Sequence, residues 1–215
     1  MSIAILMTSI SMTSLIMSFF KYILPDFAQT HSGELCIQAI GSIFMFGLSS
    51  WICILLFSKD FKTNFTPIKN KRWIIWAILI PIVSIPLNDW LQILNNNLHF
   101  SGEEIFRQMQ TMSENESKHL LTSNSIGGLL TVSFVLAIIP AIVEEFFFRG
   151  VVQNYFNELC KNSILAIILT SVFFSLMHFE IFSFLPRFVL SCFLGYLFIA
   201  TKNLIIPIIC HFINN

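Results

Sequence analysis

Residues 126–152 read IGGLLTVSFVLAIIPAIVEEFFFRGVV. From Ile126 through Val143 no side chain carries a charge. A bilayer-crossing helix needs about 20 such residues in succession. This stretch supplies them and then breaks its own pattern with Glu144, Glu145 and Arg149. Outward from it the same apolar character repeats. Further runs occupy residues 3–24, 35–57 and 73–94 before it, and 163–179, 186–200 and 204–215 after it. The last is too short to cross a bilayer straight. Residues 3–24 lack a basic leading segment and a small-residue cleavage site, and read as a retained helix.

Composition agrees. Hydrophobic residues make up 55% of the 215 positions, charged residues 11%, and mean hydropathy is +0.77. A soluble domain carries about 25% charged residues, so this chain has too little polar surface to stay dispersed in water. Its 24 phenylalanines suit lipid-facing and helix-packing roles. The 12 basic and 12 acidic residues cancel, so no general attraction to nucleic acid is expected. Five cysteines stand singly, with no CxxC pair, and read as small buried hydrophobes. The expected fold is all-α: a polytopic transmembrane bundle of about seven membrane helices around a buried polar cavity. Residues 1–125 form N-terminal helices and a polar loop, and residues 126–215 the chemical core.

The loop at residues 58–72 holds Lys59, Lys62, Lys69, Lys71 and Arg72 against Asp60. By the preference of basic loops for the cytoplasm, the N terminus is cytoplasmic. The stretch from Asn95 to about Asn124 then lies outside. Within it Ile105, Met109 and Met112 recur at helical spacing, which fits a short interfacial helix or an ordinary solvated loop equally.

Ionisable groups inside a membrane cost at least ~2.5–3.5 kcal/mol on insertion scales, so those retained there invite a functional reading. Glu145 and Arg149 are four apart on one helical face and can neutralise each other. Glu144 points about 100° away and has no such partner, which suits it to exchange a proton with water. Pro140 cannot donate to the carbonyl of Leu136, so a bend just before Glu144 is expected. Phe174 shares a face with His178 and can pack beside its imidazole. His211 and Asn215 also share a face, and both can donate to a developing oxyanion. Each group alone has a plain alternative: headgroup snorkelling for the glutamates and arginine, an interhelical hydrogen bond for His178, a wet helix end for the last pair. Asp89, beside Trp90, reads as a capped helix end. The stretch Glu103–Arg107, EEIFR, has a similar composition without apolar surroundings and reads as surface.

Together these motifs, EExxxR at Glu144-Glu145…Arg149, FxxxH at Phe174…His178 and HxxxN at His211…Asn215, resemble the CPBP intramembrane proteases. That family includes the type II CAAX prenyl endopeptidases and bacteriocin-processing or self-immunity proteins. The resemblance covers residues 126–215. It implies an endopeptidase of the bacterial inner or plasma membrane acting on a peptide or membrane-protein substrate. In it Glu144 would be the base, His178 its partner in holding water, Glu145 and Arg149 the ordering pair, and His211 and Asn215 the oxyanion donors. Two histidines and a glutamate could also ligate zinc, though HExxH is absent; the balance leans slightly to a metal-free mechanism. A non-catalytic scaffold or immunity protein on the same fold, or a small transporter, are the alternatives. One difficulty attends the catalytic reading. If every helix crosses straight, Glu144 lies toward the cytoplasmic end of its span and His178 toward the opposite end of the next.

Overall fold

A computed structural model describes residues 2–57, 64–123 and 125–215, with backbone alone for 2–11 and 57. Part of the basic loop, including Lys59, Asp60 and Lys62, lies outside the described residues. Helices form nearly all of the rest: α1 (Ser2–Ile23), α2 (His31–Leu56), α3 (Arg72–Val83), α4 (Ile85–Asn96) and α5 (Glu103–Leu120), then α6 (Ile126–Cys160), α7 (Ser163–Leu176), α8 (Ile181–Thr201) and α9 (Ile205–Asn214). The described residues contain no strand, only an isolated antiparallel bridge between Phe65 and Asn203.

Side chains set the helix starts as capping chemistry requires. Thr30 accepts from Gly33 N at 3.1 Å, Ser125 from Gly128 N at 3.0 Å, and Asn162 from Ile164 N and Leu165 N at 2.9 and 3.1 Å. Left-handed residues end α6, α7 and α8: Lys161 (φ 49°), Phe179 (φ 55°) and Lys202 (φ 48°). Between α3 and α4 the axis bends by 45°. Pro81 and Pro86 flank this bend, and neither can donate to the ladder.

Among the described residues three helices, α2, α6 and α8, are long and apolar enough to cross a membrane, or four if the bent α3–α4 pair is one span. This is fewer than the seven runs of the sequence. At 14 and 10 residues, α7 and α9 reach roughly 21 and 15 Å, against about 30 Å of hydrocarbon. They pack on α8 and on α3 respectively. The protein is an integral membrane protein by this helix inventory. Asp89 lies exposed within α4 rather than capping its end. The five cysteines are free; Cys53 and Cys210 are buried as expected, whereas Cys36 is exposed.

The depth difficulty disappears because α6 is longer, and α7 shorter, than the apolar runs suggest. Helix α6 continues to Cys160 instead of ending at Val152, and the chain reverses at Lys161–Asn162. Counting back along α6 places Glu144 roughly 24 Å from that turn, and counting forward along α7 places His178 roughly 22 Å from it, at about 1.5 Å per residue. Pro140 does not break α6. A π-helical turn at Phe134–Ile138 precedes it, and a second at Phe148–Gln153 carries Arg149. Such turns re-aim side chains within a continuous helix and recur at functional sites.

A candidate buried catalytic cluster

Helix α6 packs against α7, α8 and α9. The contact is phenylalanine-rich: Phe46, Phe147, Phe148, Val152 and Phe174 form one buried cluster. Beside it lie the charged groups. Arg149 and Glu145 are 0% exposed, and Arg149 Nη1 donates to Glu145 Oε1 at 2.7 Å. The same oxygen accepts from His211 Nδ1 at 2.8 Å. Arg149 Nη2 donates to the carbonyl and hydroxyl oxygens of Ser191 at 3.1 and 2.8 Å. The i, i+4 pairing read from the sequence is present. Its environment, which sequence could not supply, makes it costly to disturb: removing one member of a buried pair strands a charge.

Glu144 is 8% exposed and has no ion partner in hydrogen-bond range. Its Oε2 lies 3.9 Å from His211 Nε2, too far for a direct hydrogen bond. Since Glu145 accepts at Nδ1, His211 presents Nε2 towards Glu144. His178 is held differently. Its Nδ1 donates to the carbonyl of Phe174 at 2.8 Å, and its ring packs on Phe174 with centroids 4.8 Å apart. Phe174 also meets the His211 ring at 5.8 Å and the Arg149 guanidinium at 5.1 Å. One phenylalanine is therefore a wall shared by both imidazoles and the arginine. Asn215 stands apart. It is exposed at the end of α9, and its amide donates to the carbonyl of Ala137 at 3.4 Å.

Of the six candidate residues, four meet directly, His178 joins them through Phe174, and Asn215 does not reach the cluster. Residues 126–215, which contain all six, match the family model described as type II CAAX prenyl endopeptidase Rce1-like. Over these residues the chain is similar to the CPBP/CAAX protease family. No curated protein and no solved structure matches the chain.

Sequence reading missed two further contributors to the matched segment. Ser191 holds the far side of Arg149, and Gln153 Nε2 donates to the carbonyl of Gly195 at 3.1 Å one turn along. A Cβ on Gly195 would lie 2.8 Å from Gln153 Oε1 and 3.3 Å from Ile167. The signal was available: Arg149 and Gln153 are four apart on α6, and the small residues Ser191 and Gly195 are four apart on α8. As for metal, among the described residues no group of three or more His, Cys, Asp or Glu side chains is arranged to hold an ion. His211 Nδ1 is engaged by Glu145 and His178 Nδ1 by a carbonyl, which leaves Nε2 of each ring free.

Proposed function

We propose that this chain is a membrane-embedded endopeptidase in which Glu144 activates water. The observation that carries the reading is a buried carboxylate oxygen with no hydrogen-bond partner, facing an imidazole nitrogen across 3.9 Å. In this reading a water beside that gap would lie within hydrogen-bond reach of each side. Glu144 takes its proton as the oxygen attacks the scissile carbonyl, and returns that proton to the leaving amine.

Geometry supports a role for His211, which turns Nδ1 to Glu145 and Nε2 towards Glu144. In this reading an Nε2–H of His211 donates to the oxyanion of the tetrahedral intermediate. Glu145, clamped by Arg149, fixes the ring for that task. His178 borders the same place through Phe174 and helps hold the water; Asn215 joins the oxyanion when the end of α9 turns inward. The steps proposed here are carried by these side chains and the water. Substrates suited to such a site are membrane-associated peptides: a prenylated C-terminal motif, a leader peptide or a segment of another membrane protein. The basic loop supports a cytoplasmic N terminus.

Glu144→Gln tests this in liposomes with membrane-anchored peptides. We expect cleavage to fall by about 10²-fold or more with no loss of thermal stability. Unchanged cleavage would remove the hydrolytic reading. One observation favours a second reading, a peptide-binding scaffold without catalysis: the turned-away amide of Asn215. Peptide captured intact by the wild-type chain, as seen by mass spectrometry, would select it.

A further inference from the structure

Helix α5 lies outside the matched family segment, yet it touches the loop that carries His178. Ser113 donates to Glu180 Oε1 at 2.7 Å, and the other oxygen of Glu180 pairs with Arg187 at the start of α8. The Arg107 guanidinium sits 4.0 Å over the ring of Phe182, whose other contact is Phe100, stacked at 6.0 Å. Arg107 also donates to the carbonyls of Asn96 and Leu98 at 3.1 and 3.2 Å. Gln92 and Asn95 on α4 donate to the carbonyls of Phe182 and Ile181 at 2.7 and 2.6 Å. The loop between α7 and α8 and the first turn of α8 are thus held by α5 and α4. At its far end α5 is tied to α2, with His119 on Glu34 at 3.2 Å and His31 on the carbonyl of Leu120 at 3.0 Å.

At about 100° per residue, α5 divides into three faces. Phe106, Arg107, Gln110 and Ser113 face the protein. Glu104, Gln108, Thr111 and Asn115 form a polar face. Between them runs a stripe of Ile105, Met109 and Met112, exposed by 64%, 47% and 70%. Apolar side chains of the neighbouring segments are exposed as well, Ile93 and Leu94 on α4 and Leu121 and Ile126 leading into α6. Both ends of α5 join ends of spans on one side of the bundle. A helix with one face on protein, one in water and a third apolar face at this level lies in the interface of the bilayer.

We propose that α5 is a membrane-surface lid. The stripe Ile105–Met109–Met112 rests among phospholipid acyl chains, and the opposite edge latches the His178 loop through Ser113–Glu180 and Arg107–Phe182. Lifting α5 frees that loop and opens the cluster sideways to a substrate arriving in the same leaflet. The gating half of this inference rests on the hydrolytic reading; the docking and latching halves do not.

The wild-type chain in vesicles of phosphatidylcholine bearing a photoactivatable diazirine tests the docking. Lipid adducts are expected on Ile105, Met109 and Met112 and not on Gln108, Thr111 or Asn115 of the same helix. Adducts on both sets, or on neither as a second copy of the chain or open water would give, overturn the lid. Amide hydrogen exchange tests the latch. In the double variant Ser113→Ala, Arg107→Gln, residues 177–183 should exchange roughly two- to tenfold faster, the range expected for losing a latching hydrogen bond. Glu104→Gln, on the polar face, should leave them unchanged. Equal exchange in all three proteins overturns the latch. In the cleavage assay the latch variant should turn over membrane-anchored peptide faster than wild type, and equal or slower turnover overturns gating. A Glu144→Gln chain that cleaves normally defeats hydrolysis instead, while adducts and exchange still decide the lid.

Discussion

Two places in this chain carry a glutamate pair followed by an arginine, and each recruits a histidine. On α5, Glu103 meets Arg107 at 3.5 Å and His99 at 3.2 Å. On α6, Glu145 meets Arg149 at 2.7 Å and His211 at 2.8 Å. The residue types and the i, i+4 spacing are the same. The first set is open to water, where ion pairs gain little and salt screens them. The second is sealed from it, and each charge depends on the others for its existence as a charge. A motif is therefore two statements, a spacing and an environment, and only the spacing is written locally in the chain.

The comparison can be broken most directly at Arg149. Arg149→Leu leaves Glu145 buried with His211 alone and should cost about 3–5 kcal/mol in thermal or denaturant unfolding in micelles. If Arg149→Leu together with Glu145→Leu is no more stable than Arg149→Leu alone, the stranded charge is not the cause. Gly195→Ala should cost about 1–3 kcal/mol, because its new Cβ crowds Gln153 and Ile167; wild-type stability there would mean that α8 slides without penalty. Ser191→Ala should cost about 1 kcal/mol, since the backbone oxygen of residue 191 still receives Arg149. A larger loss would show that the hydroxyl does more than share that arginine.

The smallest effect belongs to the exposed set. Glu103→Gln should leave the unfolding midpoint at neutral pH within error. The Glu103 carboxyl is held below its ordinary pKa, chiefly by the hydrogen bond from His99 and then, against a smaller opposing effect of burial, by Arg107. Its folded pKa is thus depressed. The contribution to stability is present above the ordinary carboxylate range and disappears as pH falls through the lower folded value. A carboxyl titration by NMR that placed this midpoint above the ordinary one would reverse the assignment.

Much of the candidate site was readable because helical spacing is a local property. Glu145 with Arg149, Phe174 with His178 and His211 with Asn215 are each four residues apart, and the first two pairs meet as that spacing requires. The unpartnered state of Glu144 was also readable, since one residue turns a side chain about 100° away from its neighbour's partner. Asn215 shows the limit. Sharing a face with His211 says nothing about how far the end of α9 reaches into the bundle, and there the amide finds the carbonyl of Ala137. Ser191 was missed because a serine in an apolar helix has no visible purpose until the arginine opposite it is known.

By itself the chain determined that it is helical and membrane-bound, because hydropathy and the need to satisfy backbone groups in lipid act on each segment separately. It determined too which side chains share a helical face. Only the tertiary structure decided that α6 runs on to Cys160 and that α7 stops short, so that Glu144 and His178 come level. It also decided that Glu145, rather than Glu144, holds His211, and that α5 reaches the His178 loop. Those outcomes depend on how helices far apart in sequence pack, and packing is settled by the fit of whole surfaces instead of by any one stretch of residues.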